Sequence, residues 1–300
     1  MRQRGHFSRI YPILAVVLVA TPATASRLDG ALDALESGEQ HLDVSWVPMY
    51  QNALKASADT GNYTLDAIGT FTLRTTDSGL GNTNLIFWVN SSDKLGGLGT
   101  LTELTTDAGL LWDPNDINTD SSNTSLLVIG VDQWFLDNTV SAGFGKFFPG
   151  QFFLNSPYTA DNSNSFTSKM ISGNPVVSFW EAIGIGANAA YFGEKWSVQG
   201  AFVDSKAEED LDFSSFADAK FAYMLEATYS PYNERGESAV GAVAYYIDAR
   251  NQRESESGIV AQFTHEWGAD ANYAVFGRYS YRSGGAVSYT HLTLPANREV

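Results

Sequence analysis

The sequence predicts an all-β chain, a transmembrane antiparallel β-barrel. Three observations carry the prediction. The chain opens with an export signal. Segment after segment then alternates apolar and polar residues with period two. No later run is long and apolar enough to cross a bilayer as a helix. A barrel tolerates modest overall hydropathy because only every second residue must face lipid.

Residues 1–25 read as a cleaved signal peptide. Arg2, Arg4 and Arg9 form a basic start, Ile10 to Ala20 an apolar core of 11 residues, and Ala23-Thr24-Ala25 a small-residue cleavage site. The alternative, a membrane anchor, fails on length, since a helix needs about 20 residues to span the hydrocarbon layer. Residues 26–40 form a lead segment, in which Leu28, Leu32 and Leu35 suggest a short helix.

Residues 41–286 hold the expected strands of a partial barrel. The clearest is Tyr63 to Arg74, with Tyr63, Leu65, Ala67, Phe71 and Leu73 on one face and Asp66, Ile68, Thr70 and Arg74 on the other. Lys195 to Val203, Ala219 to Tyr229, Gly258 to Trp267 and Asn272 to Arg282 repeat the pattern. Further strands are expected at His41 to Pro48, Asn84 to Asn90, Ser125 to Leu136, Thr139 to Phe148, Val176 to Phe192 and Val240 to Asp248. That makes about eleven strands of roughly ten residues, the length that crosses a membrane at a tilt of about 45°.

Asp137-Asn138 and Gly193-Glu194 are expected tight turns. Ser91 to Asn123, Pro149 to Pro175 and Asp204 to Asp218 are expected long loops, rich in Asp, Asn, Ser and Gly. Short turns at one rim and long loops at the other suit an outer-membrane barrel. Tyr63, Trp134, Trp196, Tyr229, Trp267 and Tyr281 fall near strand ends, where aromatic girdles sit. A soluble β-sandwich would also alternate, but its inner face is a dry core with no use for charges on strand after strand.

The last residues read differently. Val287 to Pro295 (VSYTHLTLP) resembles translated read-through of a transposon end used in sequencing libraries, so residues 287–300 are expected to be an adapter tail. Bacterial single-chain barrels are even-numbered, so about five further strands would complete a barrel of about 16.

The chain carries 18 basic and 34 acidic residues. Three arginines and no acids lie in the signal peptide, which leaves 15 against 34. A surface so acidic repels nucleic acid. There are no cysteines, which excludes thiolate metal sites and cysteine catalysis, and no cofactor or metal is expected. Before the tail, the only mature histidines are His41 and His265, and no G-x-S-x-G elbow occurs, so no enzyme is expected. His265 falls in an apolar-face register, as a rim residue would.

Two stretches resemble the carbohydrate-selective porin family of Gram-negative bacteria. One is Gly96 to Trp112 (GGLGTLTELTTDAGLLW). The other is Leu126 to Asn155, a strand, a tight turn, a second strand ending in Gly145-Lys146, and then Phe153-Leu154-Asn155-Ser156. Pro175 to Phe192 and Lys195 to Phe202 match a later paired segment, so the likeness covers roughly residues 43–204. Phe147-Phe148 stands where the family carries an acidic residue after the basic one. The resemblance implies passage of small sugars through a pore in outer-membrane lipid, with a monomer and a homotrimer both open.

A pore needs a wet lumen and side chains that replace part of a solute's hydration. The pore-lining candidates are Asp66, Arg74, Lys146, Asn155, Lys195, Lys220, Glu226, Glu266 and Arg278. Strict alternation points Lys146 outward with Val140, Ala142 and Phe144, unless it sits at the rim or after a bulge. Gln151 to Gly173, with its aromatic and amide residues, is the segment expected to fold into the pore. Two other functions are carried alongside the channel: a surface-binding or adhesion scaffold, and a soluble secreted β-protein.

Overall fold

A computed structural model describes residues 39–52, 61–75, 81–94, 100–107, 123–154, 183–205, 215–231, 238–249, 254–267, 273–284 and 290–292. The signal peptide and the expected helix around Leu28 to Leu35 lie outside them.

Among the described residues, twelve strands form one sheet in chain order. They are β1 (Glu39–Asn52), β2 (Gly61–Thr75), β3 (Thr83–Lys94), β4 (Asn123–Phe135), β5 (Val140–Phe147) and β6 (Gly184–Phe192), then β7 (Trp196–Asp204), β8 (Phe221–Tyr229), β9 (Ser238–Ile247), β10 (Glu256–Trp267), β11 (Tyr273–Gly284) and the short β12 (Thr290–Leu292). Every pair is antiparallel and joins sequence neighbours, so the chain is a meander. β1 and β12 form the two edges, and the sheet is not closed. β1 begins two residues before the expected boundary, and β12 falls within residues 287–300.

An antiparallel meander sends alternate connections to opposite rims. Residues 136–139 and 193–195 turn tightly at one rim, while 95–122, 148–183 and 205–220 connect strands at the other. The first tight turn has three successive left-handed residues, Leu136, Asp137 and Asn138, at φ 50°, 54° and 64°. Asn and Asp tolerate that region better than most residues.

One helix interrupts the long connection after β3, where the sequence suggested only loop. It is α1 (Leu101–Asp107), and a capping box starts it. Thr100 Oγ1 accepts the Glu103 N–H at 3.1 Å, and the Glu103 carboxylate accepts the Thr100 N–H at 2.6 Å.

The sheet's two faces differ in kind. On β8, Ala222, Met224 and Glu226 are buried while Tyr223, Leu225 and Ala227 are exposed. On β9, Gly241, Val243, Tyr245 and Ile247 are buried between exposed Val240, Ala244 and Tyr246. β10 and β11 continue both rows, because the register pairs Gln262 with Arg278 and Ala261 with Tyr279. Large apolar side chains thus line the exposed face, and charged ones lie among the buried. Leu225 is 58% exposed while its neighbour Glu226 is 4% exposed. A water-soluble sheet has the opposite arrangement.

The buried, inward face holds one apolar cluster. Val128 of β4, Phe147 of β5, Val203 of β7, Met224 of β8, Val243 and Tyr245 of β9 and Val260 of β10 belong to it. So do Phe153 and Leu154, which follow β5 and a single 3-10 turn at Pro149–Gln151. The chain therefore leaves β5 and folds onto the inward face.

Candidate functional site

The site is built where that infolded stretch meets β7 and β8. Phe153 and Leu154 are each only 1% exposed and sit in the apolar half of the inward face, towards the long-loop rim. Towards the other rim the same rows turn polar: Val203 and Ala201 give way to Gln199, and Ala222 and Met224 to Glu226 and Thr228. Gln199 and Glu226 are register partners on adjacent strands.

Gln199 and Glu226 bond to each other, and three further hydrogen-bonding groups converge on them. Gln199 Nε2 donates to Glu226 Oε2 at 2.6 Å and to the Phe152 carbonyl at 2.5 Å. The Leu154 N–H donates to Glu226, 3.1 Å from Oε2 and 3.3 Å from Oε1. Thr228 Oγ1 donates to Oε1 at 3.3 Å. Three strands along, Arg278 of β11 is buried on the same face and attracts Glu226 electrostatically. Arg278 Nη2 in turn donates to Gln262 Oε1 of β10 at 3.4 Å. A carboxylate and a guanidinium are thus buried on one face, each hydrogen-bonded to a neutral group.

A second polar group lies on β3 to β6. The Asp132 carboxylate accepts the Trp134 indole N–H and, at 3.5 Å, Asn84 Nδ2. Trp134 stacks on Phe192 with ring centres 5.5 Å apart. Beside them a recess of about 30 Å³, room for a water molecule, is bordered by Asp132, Asn188, Lys146, Phe147 and Phe152. Glycines make this part of the sheet thin. Gly130 and Gly145 face each other across β4 and β5, and Gly145 has φ +148°. A Cβ there would stand 2.3 Å from the Ile129 carbonyl oxygen, so only glycine fits.

The sequence-derived candidates separate into groups. Glu226 and Arg278 lie buried on the inward face, and Glu266 of β10 is half-buried in the same row. Lys146 is not outward into the exposed row; it is 2% exposed, next to the backbone irregularity at Gly145. Lys195 lies in the tight turn before β7 and Lys220 just before β8, and both are exposed rim residues rather than mid-wall ones. Asp66 pairs in register with Ser92 and Arg74 with Asn84, but their side chains, like all of Asn155, lie outside the described residues. Of Gln151 to Gly173, the segment expected to fold into the pore, residues 155–173 lie outside the described residues; at 152–154, Phe152, Phe153 and Leu154 pack inward.

Sequence reasoning missed Gln199, Asp132 and the peptide groups around Phe153. Gln199 stood on the polar face of its strand but carries no charge to single it out. Asp132 directly follows the apolar run Leu126 to Val131 in LLVIGVDQWF, a charge within a strand candidate that was there to be read. Trp134 also differs from the girdle expected of it, since its ring joins the inward face. The outward aromatics do gather at the tight-turn rim: Trp196 lies 4.7 Å from Tyr229 and Trp267 lies 6.0 Å from Tyr273, centre to centre. His265 is exposed there, stacked on Trp267 at 5.6 Å, with Nδ1 2.7 Å from Ser238 Oγ. Among the described residues no group of three or more His, Cys, Asp or Glu could hold a metal ion.

No family profile and no curated protein matches the chain. Solved structures do. The high-pH structure of OprB from Pseudomonas putida aligns with a TM-score of 0.70 at 13% identity, covering 90% of this chain and 73% of OprB. The low-pH structure of the same protein aligns with a TM-score of 0.54 at 14% identity, covering 90% and 75%. At that identity the likeness speaks for architecture. The meander, the inverted polarity of the faces and this superposition together give the chain the antiparallel β-barrel fold of OprB.

Proposed function

We propose that the chain is part of an outer-membrane channel for passive diffusion of small hydrophilic solutes, with carbohydrates the favoured class. The observation that carries this reading is the inverted polarity of β8 to β11. Exposed Tyr223, Leu225, Ile259 and Tyr279 suit lipid, and buried Glu226 and Arg278, with half-buried Gln262 between their strands, suit a polar lumen. Such a wall does no bond chemistry; it offers hydrogen bonds in place of a solute's water. The fold shared with OprB and the motif resemblance to carbohydrate-selective porins support the same conclusion. The export signal supports an outer-membrane location.

The test is permeation. The complete protein is reconstituted in liposomes, and swelling is followed in isosmotic solutions of neutral sugars of rising size. Swelling that slows with sugar size is expected. Impermeability to every small sugar would sink the channel reading and favour a surface-binding scaffold, whose working parts would be the long connections at one rim.

A further inference from the structure

We propose that Gln199 and Glu226 are positioning residues which latch the chain leaving β5 to the inward wall, and so set the bore of the pore. The proposal rests on the channel reading and adds to it a division of labour within the site. The two residues flanking Phe153 present a backbone carbonyl, at Phe152, and a backbone N–H, at Leu154. Gln199 takes the first and Glu226 the second. The same Gln199 nitrogen also donates to Glu226, so its two hydrogens tie the two halves of the latch together. Two neighbouring strands thereby supply, through side chains, the donor and the acceptor that a further strand would have supplied through its backbone.

Apolar packing alone would not fix this stretch. Phe153 and Leu154 are buried in a seat of apolar side chains, and burial of that kind is non-directional. Leu154 adopts φ +56°, a conformation leucine disfavours and holds only where its surroundings impose it. The latch supplies the direction that the apolar seat lacks. Glu226 thus acts through the backbone it holds, and its charge faces Arg278 as well.

These two contributions separate in single-channel recordings from the full-length protein in planar bilayers. Gln199→Leu removes the link to the Phe152 carbonyl and leaves the charge of the wall intact. It should raise the frequency of current excursions about tenfold, the factor by which losing a hydrogen bond of about 1.4 kcal/mol shifts an equilibrium. It should also shift the polyethylene glycol exclusion size, without altering the cation-to-anion permeability ratio. Glu226→Gln, which keeps an acceptor but loses the charge, should do the reverse: a shifted ion ratio with few added excursions. Gln199→Asn, one methylene too short, should follow Gln199→Leu and serves if the leucine variant does not fold. A folded Gln199 variant that conducts as steadily as the parent, with the parent's exclusion size, overturns the latch. A parent protein with no channel currents overturns the channel reading itself, and the latch with it.

Discussion

The two faces of β8 are opposite in burial and in polarity. Glu226 and Leu225 are adjacent in sequence, yet the carboxylate is buried among hydrogen-bond donors and the leucine is exposed. In a soluble protein that strand would be inside out, with an exposed apolar row on four successive strands inviting aggregation. In a bilayer the exposed row is solvated by lipid and the buried polar row needs no exposure to bulk water to be satisfied. The lesson is that burial and polarity are independent coordinates: what each face requires depends on which solvent lies beyond it.

The contrast predicts a large effect on the outward face. Leu225→Arg places a cation at mid-strand on the exposed row, where lipid offers it neither partner nor water. A loss of about 2–4 kcal/mol is expected, the range for a basic residue near the bilayer midplane. Denaturant titration in lipid, followed by tryptophan emission, measures it. An unchanged midpoint would mean that this face does not meet lipid, and the membrane reading would fail with it.

A smaller effect tests the thin region, where both faces come within a backbone's width of each other. Gly145→Ala sets a Cβ against the Ile129 carbonyl and Gly130 Cα, at 2.3 and 2.5 Å, in a φ that side chains resist. About 1–3 kcal/mol of destabilisation is expected, with the recess beside Lys146 and Asp132 disturbed. The same titration reads the loss. Gly69, where a new Cβ meets nothing within 4 Å, is the control and should tolerate alanine.

Much of this contrast was legible in the sequence. Alternation located β2, β7, β8, β10 and β11 to within about two residues, because an apolar face and a polar face impose period two along each strand. The acids and bases on the polar rows, Glu226 and Arg278 among them, were legible for the same reason. What alternation cannot encode is contact across distant residues. Nothing local to Gln199 announces that its amide will meet Phe152, 47 positions earlier in the chain. Strict parity alone would turn Lys146 outward; the exception allowed for it, an irregular strand, is met at Gly145 just before it. The short helix α1 was overlooked although Thr100 and Glu103 stand at the spacing of a capping box, since seven residues are too few for a helical period to emerge.

The smallest predicted effect sharpens the comparison most, because it repeats the arginine substitution three residues along on the opposite face. Thr228 lies on the inward row beside Gly241, whose missing side chain leaves its register partner space, and its hydroxyl is held by Glu226. Thr228→Arg loses one hydrogen bond of about 1 kcal/mol at 3.3 Å and gains a carboxylate within reach of the new guanidinium, so stability should change by less than about 1 kcal/mol. The effect should instead be functional: a cation added to the inward row draws anions, and the reversal potential in a salt gradient should move in their favour. If Thr228→Arg were as costly as Leu225→Arg, the inward row could not be a polar lumen. The two faces would then differ in packing density rather than in the solvent they meet.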